Sequence, residues 1–353
     1  DHACAGKIDL VYIDPPFDVG ADFSMNIEIG DEEFTKKPNV LEELAYRDTW
    51  GKGADSFIAM VYERLSLMRD LLAKDGSIYV HCDWRVSGYL RLVLDELFGI
   101  NNFKNEIIWL RTRAQHTDAK SFGNVHDSIF YYTKGEQYFY SPQYVEHKPE
   151  YIARFNKIDK DGRKYMLIPA HGAGAGPARS FGERGAIAPP RGRHWAYKQE
   201  KIDQLMEQGL IEFTSTGTPS LKHFLDNSKG AVSQSIWADI APLNPVAQER
   251  LDYPTQKPEA LIERIINASS KEGDLVADFF VGSGTTLAIS EKLGRRWIGS
   301  DLGKFSIHTT RKRMIGVQRE LKKQNKDYRA FAILNLGKYE RQHYVGINPN
   351  LRE

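Results

Sequence analysis

The sequence has little of what marks secreted, membrane-spanning or metal-binding proteins. Among its 353 residues there are two cysteines, Cys4 and Cys82, so neither a disulfide framework nor a cysteine-rich zinc site is indicated. His81, His116 and His126 have no metal-ligand spacing with Cys82 either. No apolar run approaches the roughly 20 residues of a membrane span, and the N-terminus has no signal-peptide pattern. We therefore expect a globular protein of the reducing cytoplasm, without metal or membrane association.

An excess of charge of either sign is also lacking. Lysine and arginine total 48 and aspartate and glutamate 47, which gives a net charge of +1. This is weak evidence against a nucleic-acid binder, because a local surface can be basic while the whole protein is neutral.

Strand-like and helix-like segments alternate at both ends of the chain and predict an α/β protein. Residues 8–13 are almost continuously apolar, as in a parallel strand covered on both faces. The alternation lapses after residue 133 and returns near residue 253, so we divide the chain into segments 1–133, 134–250 and 251–353. Further predicted strands are 77–82, 106–110, 128–133, 275–280, 297–301 and 331–336, and the main predicted helices are 56–73, 85–98, 198–208, 258–268, 285–293 and 305–323.

The first candidate site is Asp14-Pro15-Pro16-Phe17, which directly follows the first strand. Proline fixes the backbone and donates no amide hydrogen bond, so the Asp14 carboxylate and the Pro15 carbonyl are left as acceptors. Acceptors of this kind suit an exocyclic amine, whose lone pair is otherwise delocalised into its ring. Phe17 offers an aromatic ring on which a planar, ring-containing ligand can stack. The alternative is a strand that simply ends in a Pro-Pro turn.

The second candidate site is the glycine loop from Phe280 to Gly284, between a predicted strand and a helix that begins at Thr285. Its glycines allow close approach of a ligand to the backbone, and the helix N-terminus offers free amide donors. The spacing differs from the dinucleotide pattern G-x-G-x-x-G, and no G-x-x-x-x-G-K-[ST] is present. Asp301 ends the next predicted strand, where a carboxylate can accept hydrogen bonds from ribose hydroxyls. Alternatively, the loop only packs a helix on the sheet, and Asp301 is a solvated strand end.

A third segment, Thr255-Gln256-Lys257-Pro258, precedes the helix before that strand. Thr255 is placed to cap the helix, and Lys257 to neutralise a carboxylate. The simpler interpretation is a capping turn with Pro258 in the first helical turn.

These motifs, in this order, resemble the β class of DNA amino-methyltransferases, most closely the type III-like modification enzymes, over nearly all of residues 7–340. The resemblance implies a Rossmann-like fold that binds S-adenosylmethionine, in circularly permuted order, with the catalytic half before the cofactor half and a target-recognition region between them. It implies Asp14, Pro15, Pro16 and Phe17 as catalytic. The implied cofactor-binding residues are Thr255, Gln256, Lys257, Asp278, Phe280, Gly282, Gly284, Thr285 and Asp301.

The sequence departs from the family pattern at three places. Phe17 stands where tyrosine is usual, and Phe279 where proline is common. A Gly-Asp-Asn element that family members often carry ahead of the catalytic strand is absent, so we expect an N-terminal strand and helix to be missing from this sequence. Asp rather than Ser at position 14 resembles adenine-N6 more than cytosine-N4 enzymes.

The middle segment contains the candidate DNA contacts. Arginines, glycines and aromatic residues cluster over 171–197, a composition that suits phosphate and base-edge contacts in a loop. A merely solvated, flexible loop is the alternative. The candidate DNA-binding residues are Arg179, Arg184, Arg191, Arg193 and Trp195, with Tyr46 and Arg113 from the first segment.

The predicted function is methylation of adenine N6 in double-stranded DNA, with a flipped target base. The alternatives are a cytosine-N4 enzyme, an enzyme that acts on RNA, and a non-catalytic nucleic-acid-binding subunit that keeps the fold. The resemblance leaves open a restriction partner and a homodimer.

Overall fold

The computed structural model describes residues 4–16, 25–29, 32–36, 54–112, 122–244, 247–251, 253 and 255–335. The chain forms two compact units. Asp1–Ser141 and Gln234–Glu353 together form the first, and Pro142–Ser233 forms the second.

The first unit contains a seven-stranded, mostly parallel sheet in its described part. Its strands are β1 (Ile8–Ile13), β2 (Leu72–Asp83), β3 (Phe103–Leu110), β4 (His126–Thr133), β5 (Ile236–Trp237), β6 (Leu275–Asp278) and β7 (Arg296–Gly299), in the spatial order β5-β3-β4-β2-β1-β6-β7. All neighbouring pairs are parallel except those of β4, which runs antiparallel to β2 and β3. The predicted α/β class is confirmed.

Helices cover both faces of this sheet. They are α1 (Ala54–Leu71), α2 (Ser87–Phe98), α3 (Glu259–Ser269), α4 (Thr285–Lys292) and α5 (Lys304–Lys323), with a 3₁₀ turn at Ile100–Asn102 and an antiparallel hairpin of Met25–Ile29 and Glu32–Lys36. Side chains alternate along β1, so Val11 and Ile13 join the core beside α1 and α2, whereas Leu10 and Tyr12 join the core beside α3. Both faces of β1 are therefore buried, which explains its nearly continuous apolar sequence.

The prediction of a strand at residues 331–336 is wrong for residues 331–335, the part of it that the structure describes, because their backbone is irregular. The Phe331 ring packs against Trp297 with 5.6 Å between ring centroids. Ile333 and Leu334 are 48% and 91% exposed. The run therefore buries one aromatic ring rather than the full face that a strand presents.

The second unit is built from short antiparallel pairs around a small core. Its four-stranded sheet has the order Ile211–Phe213, Pro219–Phe224, Lys164–Pro169, Lys157–Ile158. The segment predicted to be loop-like forms two small pairs, His171–Ala173 with Arg193–Trp195 and Arg179–Ser180 with Ala186–Ile187. The remaining elements are the pair Tyr144–Val145 with Ala231–Val232, helices Pro149–Ile152 and Gln199–Glu207, and 3₁₀ turns Gly182–Arg184 and Leu225–Asn227.

No helix in the described part of the chain combines the length and apolar character that a membrane crossing requires.

Candidate active site

The sheet order places the two main candidate motifs side by side. β1 and β6 are adjacent parallel strands, with Leu10 opposite Val276 and Val11 opposite Ala277. Because the carboxyl ends of parallel strands lie at the same edge, Asp14 and the glycine loop after β6 emerge together. Two motifs that lie far apart in the sequence thus share one site region.

Asp14 forms an ion pair with a lysine from the third motif. Lys257 Nζ contacts Asp14 Oδ2, and both side chains are largely buried, at 13% and 16% exposure. Asp14 Oδ1 is buried and has no hydrogen-bond partner within the described part of the chain. Pro15 is buried and Pro16 half-buried. The carboxylate that Lys257 neutralises in this structure is therefore that of Asp14.

The glycine loop is closely packed at Gly284, the residue before α4. Gly284 has φ of 76°, and a Cβ there would lie 2.7 Å from Thr310 Oγ1 on α5. Gly282 also has a positive φ, of 51°, but a Cβ there would lie 3.4 Å from Tyr253 Cε1, an ordinary contact. Thr310 Oγ1 donates to the Gly282 carbonyl at 3.2 Å. Glycine is therefore required at position 284, both by the positive φ and by the close contact with Thr310.

Asp301 joins the glycine loop to the segment that follows β7. Its Oδ2 accepts from the Gly282 amide at 2.9 Å, and its Oδ1 accepts from the Gly303 amide at 2.7 Å. A carboxylate oxygen can accept more than one hydrogen bond, so this half-buried group can bind a ligand while it holds the loop.

Asp278, at the end of β6, is fully enclosed beneath this loop. Its Oδ2 accepts from Thr286 Oγ1 at 2.6 Å and its Oδ1 from the Phe280 amide at 3.0 Å. Burial, with smaller contributions from Asp14 and Asp301, raises the pKa of Asp278 to about 7 despite these two hydrogen bonds. Asp278 is 3% exposed and braces the loop from inside, a placement that favours support of the loop over direct contact with a ligand.

The segment before α3 is held by its own side chains. Gln256 Oε1 accepts from the Leu251 amide at 2.8 Å, and its Nε2 donates to the Glu249 carbonyl at 2.6 Å. Thr255 is exposed and does not cap α3. Glu249 does so instead, because its Oε2 accepts from the Glu259 amide at 2.8 Å. The predicted capping role of Thr255 is wrong.

A buried arginine that sequence reasoning missed connects these elements. Arg313 of α5 is 8% exposed, donates to Thr285 Oγ1 at 2.8 Å, and donates to Glu259 Oε1 at 2.8 Å. It thereby ties α5 to the first residues of α3 and α4. The signal is present in the sequence, since Arg313 lies between Thr309 and Val317 on the buried stripe of a helix.

The candidate DNA contacts in the second unit fall into two groups. Arg184, Arg191 and Arg193 are exposed and Arg179 is half-buried, with the Arg184 guanidinium 4.2 Å from the centre of the Phe213 ring. Trp195, in contrast, is 6% exposed and donates from Nε1 to the Ile187 carbonyl at 2.9 Å. This placement does not support a DNA contact by Trp195, because its ring belongs to the core of the unit.

Three predicted residues, Phe17, Tyr46 and Arg113, lie outside the described residues. Their roles stay predictions.

Comparison with known proteins gives a consistent result. The N6/N4 methyltransferase family model, described as DNA methylase, matches residues 8–312. The type II methyltransferase M.HpaI of Haemophilus parainfluenzae is 42% identical over 308 residues, which cover 87% of this chain and 68% of that protein. The type II methyltransferase M.EcaI of Enterobacter cloacae is 33% identical over 308 residues, covering 87% of this chain and 64% of that protein.

The chain spans about half the length of the type III Mod subunits that it also matches. Among solved structures, the M1.HpyAVI–SAM complex superposes with a TM-score of 0.42 at 17% identity, covering 87% of this chain and 89% of that one. The family match spans both the Asp14 motif and the glycine loop and confirms the resemblance inferred from sequence. This chain belongs to the N6/N4 DNA methylase family.

Proposed function

We propose that this chain transfers a methyl group from S-adenosylmethionine to the exocyclic N6 of adenine in double-stranded DNA. The observation that carries the proposal is the state of Asp14. One of its oxygens is occupied by Lys257 and the other is buried and unpartnered within the described residues, at the sheet edge that also bears the glycine loop. A buried acceptor without a donor is costly, and an amine hydrogen of a target base would satisfy it.

The residues present fit the cofactor. Gly284 leaves no room for a Cβ, Gly282 keeps the loop without a side chain, and Asp301 offers carboxylate acceptors beside the loop. The glycines suit the methionine part and Asp301 suits the ribose. Bound S-adenosylmethionine would supply an electrophilic methyl group on a sulfonium.

The chain's own residues would prepare the nucleophile. Asp14 Oδ1 and the Pro15 carbonyl would accept the two amine hydrogens, which favours a tetrahedral nitrogen with its lone pair aimed at the methyl carbon. Lys257 would hold the Asp14 carboxylate in one orientation through Oδ2. As the new nitrogen–carbon bond forms and the bond between the methyl carbon and sulfur breaks, one amine hydrogen would leave as a proton, which Asp14 Oδ1 would accept. Phe17 remains the predicted stacking surface for the base.

DNA recognition is assigned to the second unit. Its exposed Arg184, Arg191 and Arg193 suit contacts with phosphates or guanine edges. Relatives named as Mod subunits belong to restriction-modification enzymes, so we include a restriction subunit among the proposed partners. A homodimer stays a prediction. We place the enzyme in the cytoplasm, where its two free thiols, Cys4 and Cys82, would remain reduced.

The test is transfer of labelled methyl from S-adenosylmethionine to mixed genomic DNA, followed by chromatography of the nucleosides. We expect label in N6-methyladenine, and its loss in Asp14→Ala, which removes both carboxylate acceptors. Asp9→Ala is the matched control, because Asp9 also belongs to β1 but accepts from the Leu275 amide at 2.7 Å, at the opposite end of the strand.

Label in N4-methylcytosine would replace the proposed base and keep the mechanism. Transfer to RNA in preference to DNA would replace the proposed substrate. Cofactor and DNA binding without any transfer would favour the non-catalytic subunit. Full turnover by Asp14→Ala would contradict the catalytic assignment.

A further inference from the structure

A buried hydrogen-bonded chain crosses three strands beside the Asp14 motif. Tyr12 Oη lies 2.9 Å from His81 Nδ1, and His81 Nε2 lies 3.1 Å from Asp127 Oδ2. The three residues are 2%, 0% and 1% exposed. Arg111 Nε lies 3.0 Å from Asp127 Oδ1. These two groups form an ion pair but not a hydrogen bond.

The charge at one end of this chain follows from its surroundings. Burial raises the pKa of Tyr12 well above its usual value, so its hydroxyl keeps its hydrogen beside His81 Nδ1. At the other end, His81 Nε2 is hydrogen-bonded to Asp127 Oδ2. Burial opposes ionisation of Asp127, but hydrogen bonding and electrostatic attraction from His81, together with the charges of Lys257 and Arg111, outweigh it and lower the pKa of Asp127. The chain therefore ends on a buried carboxylate.

Its position connects it to the catalytic end of β1. Tyr12 lies two residues before Asp14, on the face of β1 that packs toward α3. β1 and β2 pair in parallel with Tyr12 opposite Tyr79 and Ile13 opposite Val80. Because His81 is the residue after Val80 and Asp14 is the residue after Ile13, the two lie at the same level of their neighbouring strands. Asp127 lies on β4, opposite Asp83 of β2.

Stability alone is a poor explanation for this chain. On the same face of the sheet, apolar side chains such as Leu10, Ile107 and Ile129 are buried around it. Burying a carboxylate with its partners usually stabilises no more than a packed apolar group would. Buried ionisable groups with shifted pKa values concentrate at functional sites, and this hydrogen-bonded chain lies beside Asp14.

We propose that Tyr12, His81 and Asp127 are positioning residues that fix the end of β1 and hold Asp14 and the Pro15 carbonyl in the geometry needed for methyl transfer. This inference rests on the proposed function. It assigns these residues no contact with substrate. They act through the strand, so their loss lowers the rate of transfer rather than the affinity for cofactor or DNA.

The test compares Tyr12→Phe with two matched phenol deletions in the same sheet. Tyr79→Phe removes a hydrogen bond to Ser269 Oγ (2.7 Å), and Tyr132→Phe removes one to Asp95 Oδ1 (2.6 Å) from the core beside α1 and α2. For each variant, kcat, the single-turnover rate, KM for S-adenosylmethionine, DNA affinity and melting temperature are measured. A displacement of about 1 Å at a reacting group can cost on the order of 100-fold in rate, so we expect a loss in kcat of about 10- to 100-fold for Tyr12→Phe alone.

Asp127→Asn is the second variant, because it keeps shape but removes the charge, and the same selective loss of kcat is expected. A rate for Tyr12→Phe within the range of the two controls, or a loss confined to KM or to melting temperature, would overturn the inference. Failure of the proposed function is distinguishable, since it would appear as no transfer by the unaltered chain or as retained transfer by Asp14→Ala.

Discussion

Replacing Gly284 by alanine would perturb the glycine loop at its tightest point. The added Cβ would lie 2.7 Å from Thr310 Oγ1 and 2.8 Å from Thr310 Cγ2, in a backbone with φ of 76°. A left-handed backbone costs a non-glycine residue about 1–2 kcal/mol, and overpacking costs about 1–3 kcal/mol. We expect Gly284→Ala to lower the free energy of unfolding by about 2–5 kcal/mol.

The two contributions can be separated with control variants. Gly273 has φ of 85°, and a Cβ there would have no atom within 4 Å, so Gly273→Ala carries the backbone cost alone. Adding Thr310→Ala to Gly284→Ala removes the two nearest atoms and should restore part of the loss, whereas Thr310→Ala alone should cost about 1 kcal/mol for its hydrogen bond to Gly282.

The assays are denaturant unfolding and calorimetric titration with S-adenosylmethionine. Because α4 and the loop must shift to relieve the contact, we expect cofactor affinity to fall about tenfold or more, the equivalent of about 1.4 kcal/mol. Equal losses for Gly284→Ala and Gly273→Ala, or no recovery with Thr310→Ala, would refute the packing argument. Unchanged cofactor affinity would show that the cofactor binds elsewhere.

Three further predictions concern charge and burial. Lys257→Met should leave the Asp14 carboxylate without its cation and free to turn, and should lower single-turnover methyl transfer about tenfold or more, because a misplaced reacting group loses rate steeply. An unchanged rate would contradict the orienting role. Because the folded pKa of Asp278, about 7, exceeds its ordinary value of 3.8, the folded state binds the extra proton, and stability should fall as pH rises from about 4 to 7, by up to about 4 kcal/mol. Asp278→Asn should remove that decline. The same dependence of the unfolding free energy on pH in both proteins across this range would contradict the prediction. Arg191→Ala should weaken DNA binding and reduce its salt dependence without altering the melting temperature. Trp195→Ala should instead lower the free energy of unfolding by about 3–5 kcal/mol. Weakened DNA binding by a stable Trp195→Ala protein, with normal binding by Arg191→Ala, would place the tryptophan and not the arginine at the DNA.

The ion pair between Lys257 and Asp14 changes the interpretation of the third motif. The sequence predicts that Lys257 neutralises a carboxylate, and the family resemblance places it among the cofactor-binding residues. In the structure it pairs with the proposed catalytic carboxylate, while Gln256 secures the turn that carries it. Lys257 thus links the segment before α3 to the end of β1, and the cofactor and the target base would meet across this pair.

Local patterns are sufficient to predict most elements of the first unit. The run at 8–13 matches β1 residue for residue, and the helices from α1 to α5 begin and end within about two residues of prediction. These segments have strong apolar periodicity and clear glycine or proline boundaries. The prediction for 331–336 is wrong because an apolar stretch does not reveal whether its side chains find a surface to cover.

The sequence by itself determined the chemistry of the motifs. Asp14 before two prolines and glycines before a helix are local features, whose acceptors and backbone freedom follow from residue type. Tertiary structure alone decided which side chains meet, because partners such as Lys257 and Asp14, Arg313 and Glu259, or His81 and Asp127 lie on different elements. It also made Trp195 a core residue. Contacts between distant segments depend on strand order and burial, which periodicity does not encode.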